Sequence, residues 1–192
     1  MRVFTLLVVV ALLVPIAVAA DGLPEIDVEG LLDDLPRSTV RELRKSPDRF
    51  VEEVAGIIMG YGAGGSIDAA GVERYVAVRR AYIRAREMRR LLLADLNNNG
   101  AVDEAEIGVL IGAAAATARG RLLLAFRTAD ADGDGRVDLG ELRAYAEDKA
   151  LAELTSSDAD ALRALMAFDI DGDGRVVLDE VVLATQAFQR EV

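Results

Sequence analysis

The twelve residues at positions 130–141 constrain this chain's fold more than any other stretch. They place acidic side chains at positions 1, 3, 5, 9 and 12 of the segment, with Gly135 at position 6 and Val137 at position 8. A Ca²⁺ ion takes about seven oxygen ligands at ~2.4 Å, and carboxylates at this spacing can converge on one ion. Gly135 permits the sharp reversal, and the glutamate at position 12 can close the far side with both oxygens. The segment therefore predicts a Ca²⁺-binding loop that leads into a helix.

The same pattern occurs twice more, at residues 95–106 and 169–180. Each copy has Gly at position 6, an apolar residue at position 8 and Glu at position 12, and each follows an apolar run of helical spacing. A chance acidic turn explains one such segment but not three. The predicted ligands, including the position-7 residues that offer a backbone carbonyl, are Asp95, Asn97, Asn99, Ala101, Asp103, Glu106, Asp130, Asp132, Asp134, Arg136, Asp138, Glu141, Asp169, Asp171, Asp173, Arg175 and Glu180.

These three segments resemble the loops of EF-hand proteins, and the resemblance covers about residues 46–192. It implies an all-α fold of calmodulin-like paired helix–loop–helix units, with short two-residue β ladders between paired loops. It also implies up to three Ca²⁺ ions, with Mg²⁺ as a competitor. We expect loop 130–141 to bind best and loop 95–106 least well, since the latter has Asn at positions 3 and 5.

A fourth, degenerate hand is predicted at residues 60–71. Gly65, Ile67 and Asp68 match positions 6, 8 and 9, but glycines occupy positions 1, 3, 5 and 12, so no side-chain oxygen is available there. The alternative is a flexible Gly-rich linker. The degenerate hand is favoured because hands normally pair, and three intact hands leave one without a partner.

Taken in chain order, the four loops predict two pairs. The first pair spans 46–118 with loops 60–71 and 95–106, and the second spans 119–192 with loops 130–141 and 169–180. The resemblance then implies position-8 ladders that join Ile67 to Val102 and Val137 to Val176. Thr155 is expected to cap the helix that follows it, with Asp158 reaching back in a capping box.

Two further stretches carry expectations about packing. Residues 107–118 contain no charge, and a small residue recurs every four positions from Gly108 to Gly120. This predicts a buried helix that packs the two pairs together; the alternative is an exposed patch reserved for a target. Residues 74–90 are arginine-rich, which is typical of a solvated helix face and, as the alternative, of contact with an anionic partner or membrane surface.

The first twenty residues predict a secretory signal peptide. Arg2 precedes an apolar run and small residues follow up to Ala20, which suits cleavage after Ala19 or Ala20. The alternative is a retained N-terminal membrane anchor, for which the stretch is short and interrupted by Pro15. Residues 21–45 form an acidic N-terminal extension, expected to be mobile or loosely docked with a short helix capped by Ser38. A longer helix is expected to start at 46–48.

Composition excludes several classes of function. The formal charge of −11 argues against a nucleic-acid partner. The chain has no Cys and no His, so it has no disulfide and lacks the commonest general base. Because the acidic residues are committed to the loops, no nucleophile–base pair can be identified, and the chain is predicted not to be an enzyme.

The sequence therefore predicts a calcium-binding protein of secreted bacterial type, located in the secreted or periplasmic space and acting as a Ca²⁺ sensor or buffer. The alternative is a Ca²⁺-stabilised interaction or structural module, dockerin-like or surface-associated, with an unidentified protein partner. Extracellular modules of this kind can bind at about 10⁻⁴–10⁻³ M, so the ion could be a standing part of the fold. The state of the metal-free chain separates the two hypotheses.

Overall fold

The computed structural model describes residues 26–191 as helices joined by short loops, with two small antiparallel sheets. The predicted all-α fold class is confirmed. The helices are α1 Val28–Asp34, α2 Arg37–Lys45, α3 Pro47–Tyr61, α4 Ala69–Leu92, α5 Glu104–Ala113, α6 Ala116–Ala129, α7 Leu139–Glu153, α8 Ser156–Arg163 and α9 Leu178–Glu191, with a 3-10 helix at Ala164–Phe168. The strands are β1 Ser66–Asp68, β2 Val102–Asp103, β3 Arg136–Val137 and β4 Arg175–Val177.

The N-terminal targeting segment predicted at residues 1–20 lies outside the described residues. Within residues 26–191, no helix combines the length and apolar character needed to cross a bilayer.

The β ladders pair the loops differently from the prediction. Ile67 lies opposite Val176 in the β1–β4 sheet, and Val102 lies opposite Val137 in the β2–β3 sheet. The predicted ladders, Ile67 with Val102 and Val137 with Val176, are therefore wrong. The predicted division into 46–118 and 119–192 therefore separates loops 95–106 and 130–141, which are hydrogen-bonded to each other.

The length of α4 explains this pairing. This helix leaves loop 60–71 and enters loop 95–106 as one unbroken stretch of 24 residues. At ~1.5 Å rise per residue such a helix spans about 36 Å, so the two loops lie at opposite ends of it and cannot form a ladder. Because α7 packs along α4, loop 169–180 returns to the first end and loop 130–141 stays at the second.

Each ladder lies inside an apolar core. Around β1 and β4, the buried rings of Phe50 and Phe168 have centroids 5.6 Å apart and pack in one cluster with Ile67 and Val176. Around β2 and β3, the cluster includes Leu91, Val102, Phe126, Val137 and Leu142. Leu91, Phe126 and Phe168, which precede the three acidic loops, are buried in these cores, with side chains 0, 3 and 1% exposed.

The described part of the N-terminal extension is docked, which corrects the expectation of a mobile or loosely held segment. Asp27 accepts a hydrogen bond from Gly30 N at 2.9 Å and so starts α1. Val28, Leu31 and Leu35 recur at helical spacing and pack against the core around β1 and β4. The short helix predicted next is present as α2, but it starts at Arg37 after Pro36, so Ser38 is not its cap.

The uncharged segment at 107–118 is not one buried helix. Ala114 and Ala115 adopt extended backbone conformations that end α5 and precede α6. A Cβ added at Gly108, Gly112 or Gly120 would meet nothing within 4 Å, so these glycines permit no close approach of another helix. Because small residues bury little apolar area, Gly108, Gly112 and Gly120 remain exposed.

Two arginines of α4 are paired with acidic residues of α7, and Arg86 and Arg90 are also paired with Glu87 of α4 itself. Arg84 lies 3.0 Å from Glu147, and Arg86 forms a salt bridge with Glu153. Hydrogen bonding from Arg86 holds the pKa of Glu153 below its usual value. Part of the basic face thus contributes to the α4–α7 contact.

The capping box at the start of α8 is present as predicted. Asp158 N donates to Thr155 Oγ1 at 3.2 Å, and Thr155 N donates to Asp158 Oδ2 at 3.0 Å. We expect Thr155→Ala to lower the free energy of unfolding by about 1 kcal/mol in a urea titration, because an orphan helix N–H loses its acceptor. Ser157→Ala, two residues further on, is the control and should change it by less than about 0.5 kcal/mol; equal losses would contradict the cap.

Candidate metal centre

The glutamate at position 12 and the aspartate at position 9 are placed by the start of the exiting helix. Asp138 Oδ1 accepts from Glu141 N at 2.9 Å, and Glu141 Oε2 accepts from Asp138 N at 3.0 Å. Asp103 and Glu106 form the same reciprocal box at the start of α5. One capping motif therefore starts the helix and also fixes two ligand positions of the loop.

The carboxylate at position 12 lies across the loop, between its two halves. In loop 130–141, Glu141 Oε1 accepts from Ala131 N at 2.9 Å while Oε2 accepts from position 9. Glu180 makes the equivalent contacts with Ile170 N and Val177 N. Both oxygens of this side chain thus face the loop interior, as a bidentate ligand requires.

The first three acidic residues converge on one point in each of two loops. Their ligand atoms lie within 4.8 Å of one another in Asp130, Asp132 and Asp134, and again in Asp169, Asp171 and Asp173. The turn is held by backbone amides: Gly135 N donates to Asp130 Oδ2 at 3.2 Å, and the positive φ of 82° at Gly135 makes glycine the fitting residue there.

One oxygen of Asp130 tests whether the side chains of loop 130–141 fit a cation. Asp130 Oδ1 is buried and, within the described residues, has no hydrogen-bond partner. A buried carboxylate oxygen without a partner costs free energy, and native proteins rarely leave one so. A hard cation held by the neighbouring carboxylates would satisfy it, so the donor set fits Ca²⁺.

Loop 95–106 has the same backbone arrangement with less charge. Asn99 N donates to Asn97 Oδ1 at 2.9 Å, and Gly100 N donates to Asp95 Oδ2 at 3.0 Å. Asn98 takes the positive φ, 57°, that glycine takes in the other two loops. Amide oxygens can ligate Ca²⁺, but they bring less charge than carboxylates, which supports the expectation of weaker binding.

Loop 169–180 differs from the others at position 9. Val177 replaces the aspartate there and is exposed, so no side-chain oxygen can hold a water ligand on that side. Its backbone N still donates to Glu180 Oε2 at 2.8 Å, which keeps the position-12 carboxylate in place.

The segment at 60–71 is a helix–loop–helix unit and not a linker, because β1 and the start of α4 follow the same course as in the other hands. Asp68 accepts from Gly71 N at 2.7 Å and caps α4. The first half is closed, however: α3 continues to Tyr61, and a Cβ at Gly62 would lie 2.2 Å from Ser66 O. A Cβ at Gly71 would lie 2.6 Å from Ile67 Cγ1, so position 12 has no room for a glutamate.

Sequence reasoning missed the side chain of Arg175. It was predicted as a ligand through its backbone carbonyl alone, yet its guanidinium crosses the ladder to Ser66 and Ala63. Arg136 holds the same position in loop 130–141 and is exposed, so the residue pattern alone does not distinguish the two arginines.

Comparison with known proteins agrees with this geometry in one region. Residues 124–144, which cover the end of α6, loop 130–141 and the start of α7, match the family model described as EF hand. No curated protein and no solved structure matches the chain. The match to residues 124–144 and the converging aspartates of the same loop imply calcium binding there.

Proposed function

We propose that the chain binds up to three Ca²⁺ ions, one in each of the loops 95–106, 130–141 and 169–180, and acts as a Ca²⁺ sensor or buffer in the secreted or periplasmic space. The observation that carries the proposal is the buried, unpartnered Asp130 Oδ1 beside converging carboxylates. The repeat of the same hydrogen bonds in the other two loops extends it to them. We also propose that the chain is not an enzyme.

A second candidate is a Ca²⁺-stabilised interaction module. Exposed apolar side chains on α5 and α6 support it, since Val109 and Leu124 are 60 and 68% exposed. In that case the ions would hold the fold, and a protein partner would cover these side chains. Metal-free protein that is unfolded favours the module, whereas folded metal-free protein that gains apolar exposure with Ca²⁺ favours the sensor.

The test is a calorimetric Ca²⁺ titration of the chelator-stripped chain, with circular dichroism before and after. We expect three ions to bind, and Mg²⁺ to compete weakly because it demands tight octahedral geometry. Each loop has its own reporter in a ¹H–¹⁵N spectrum, because Gly100, Gly135 and Gly174 each donate an amide proton to the carboxylate at position 1.

These three signals should move at separate Ca²⁺ concentrations, with Gly135 first. The loop around it carries five acidic ligand residues, against four in loop 169–180 and three in loop 95–106. No heat and no shift at millimolar Ca²⁺ would overturn the proposal.

A further inference from the structure

Two arginine side chains donate hydrogen bonds to backbone oxygens of the closed hand at 60–71. Ala63 O accepts from the Arg175 guanidinium at 3.1 Å, and Tyr61 O accepts from the Arg74 guanidinium at 3.1 Å. Ser66 Oγ, on a residue only 7% exposed, accepts from Arg175 Nε at 2.7 Å. Two guanidinium groups thus add hydrogen bonds to this hand, although Ala63 O also accepts from Ser66 N and Ser66 Oγ.

Arg175 lies in loop 169–180, and its side chain contacts loop 60–71. Its backbone lies at position 7 of loop 169–180, where the carbonyl is an expected Ca²⁺ ligand. Its backbone N donates to Asp173 Oδ1 at 2.8 Å, which ties it to the position-5 carboxylate. Its side chain is fixed on the far side of the β1–β4 ladder by two donors in a fork geometry.

Resting on the calcium-binding function proposed above, we propose that Arg175 is a positioning residue for loop 169–180. Its guanidinium is bound to Ala63 O and Ser66 Oγ of the closed hand 60–71, and this contact holds the position-7 carbonyl of loop 169–180 ready for Ca²⁺. The pair of hands at this end of α4 therefore works with one metal ion and one arginine.

The chain contains a matched control for this role. Arg136 occupies position 7 of loop 130–141, but it is exposed, and its guanidinium has no hydrogen-bond partner among the described side chains and backbone of residues 26–190. Replacing either arginine by Gln removes one positive charge beside a cation site. Loss of that charge alone would favour Ca²⁺ binding, so only the loss of positioning predicts a weaker site.

The test compares Arg175→Gln with Arg136→Gln in the full chain, by Ca²⁺ titration of the glycine amide signals. We expect R175Q to raise the midpoint of Gly174 about tenfold, whereas R136Q should lower that of Gly135, because it removes a positive charge beside the site and keeps the backbone carbonyl. Arg175→Lys keeps the charge but loses the fork, and we expect it to weaken binding at Gly174 about fivefold. Equal and same-direction shifts in R175Q and R136Q would overturn the inference.

Ser66→Ala probes the contact from outside the metal loop. We expect it to raise the Gly174 midpoint about threefold in the wild type and to have little further effect in R175Q, because the two residues act through one hydrogen bond. Additive effects would count against the contact. If R175Q does not fold, S66A decides alone, and an unchanged Gly174 midpoint rejects the role.

The failure of this inference is distinguishable from the failure of calcium binding. If no glycine amide responds to Ca²⁺ in the wild-type chain, the proposed function is wrong. If all three respond and only the R175Q comparison fails, the loops bind Ca²⁺ and Arg175 does not position the site.

Discussion

Glu141→Gln weakens Ca²⁺ binding in loop 130–141 by on the order of 100-fold, because one ligand loses its charge and can no longer offer two equivalent oxygens. The loss corresponds to about 2.7 kcal/mol of binding free energy. The substitution preserves shape, and the amide oxygen can still accept from Ala131 N or Asp138 N as the carboxylate does now. The fold of the loop should therefore survive, while its affinity falls.

The amide of Gly135 reports this loop, and those of Gly100 and Gly174 are internal controls in the same sample. We expect the midpoint of Gly174 to change little, because it lies at the other end of α4, and that of Gly100 to change modestly through the β2–β3 ladder. Glu147→Gln, on the same helix but outside the loop, is the matched control for charge. An unchanged Gly135 midpoint in E141Q would remove this glutamate from the site.

The loops could be predicted because everything they need is local. Each twelve-residue loop depends on side-chain oxygens at fixed intervals, on one glycine with positive φ and on the cap of the next helix. All of these lie within one short segment. The converging carboxylates of Asp130, Asp132 and Asp134 follow from that spacing. The capping box of Thr155 and Asp158 is equally local and was predicted in full.

Pairing could not be predicted from the loops themselves, because it depends on how far apart the helices place them. One feature of the sequence does indicate a long α4. Residues 72–99 contain neither Gly nor Pro, so no helix-breaking residue interrupts it. The helix that leaves loop 130–141 ends before the capping box at Thr155, whereas no such break separates loops 60–71 and 95–106. With one continuous helix there, β1 cannot pair with β2, and the structure pairs β1 with β4 and β2 with β3.

Residue type alone misled in two other places. The glycines of 107–118 suggested close helix contact, but such contact needs an apolar partner surface, and none lies within 4 Å of Gly108, Gly112 or Gly120 among the described residues. The acidic charges of the N-terminal extension suggested mobility, whereas its apolar residues at helical spacing decide the matter. Burying Val28 and Leu35 stabilises the docked extension, and its described acidic side chains stay exposed, so docking does not require their desolvation.

Phe168→Ala lowers the free energy of unfolding by about 3–5 kcal/mol, because it leaves a cavity in a closed core. The Phe168 side chain is 1% exposed, and its ring lies 5.6 Å from that of Phe50. Urea unfolding in excess Ca²⁺ measures the loss. Leu124→Ala is the control, since that side chain is 68% exposed and its removal should cost less than about 0.5 kcal/mol.

The same substitution separates the two possible pairings of the hands. Phe168 lies in the core of β1 and β4, so F168A should weaken Ca²⁺ binding at Gly174 and leave Gly135 nearly unchanged. Phe126→Ala, in the core of β2 and β3, should do the reverse and affect Gly100 and Gly135. Had loops 130–141 and 169–180 shared a ladder, each substitution would disturb Gly135 and Gly174 together. Because the two cores lie at opposite ends of α4, a helix about 36 Å long, each phenylalanine should act only at its own end.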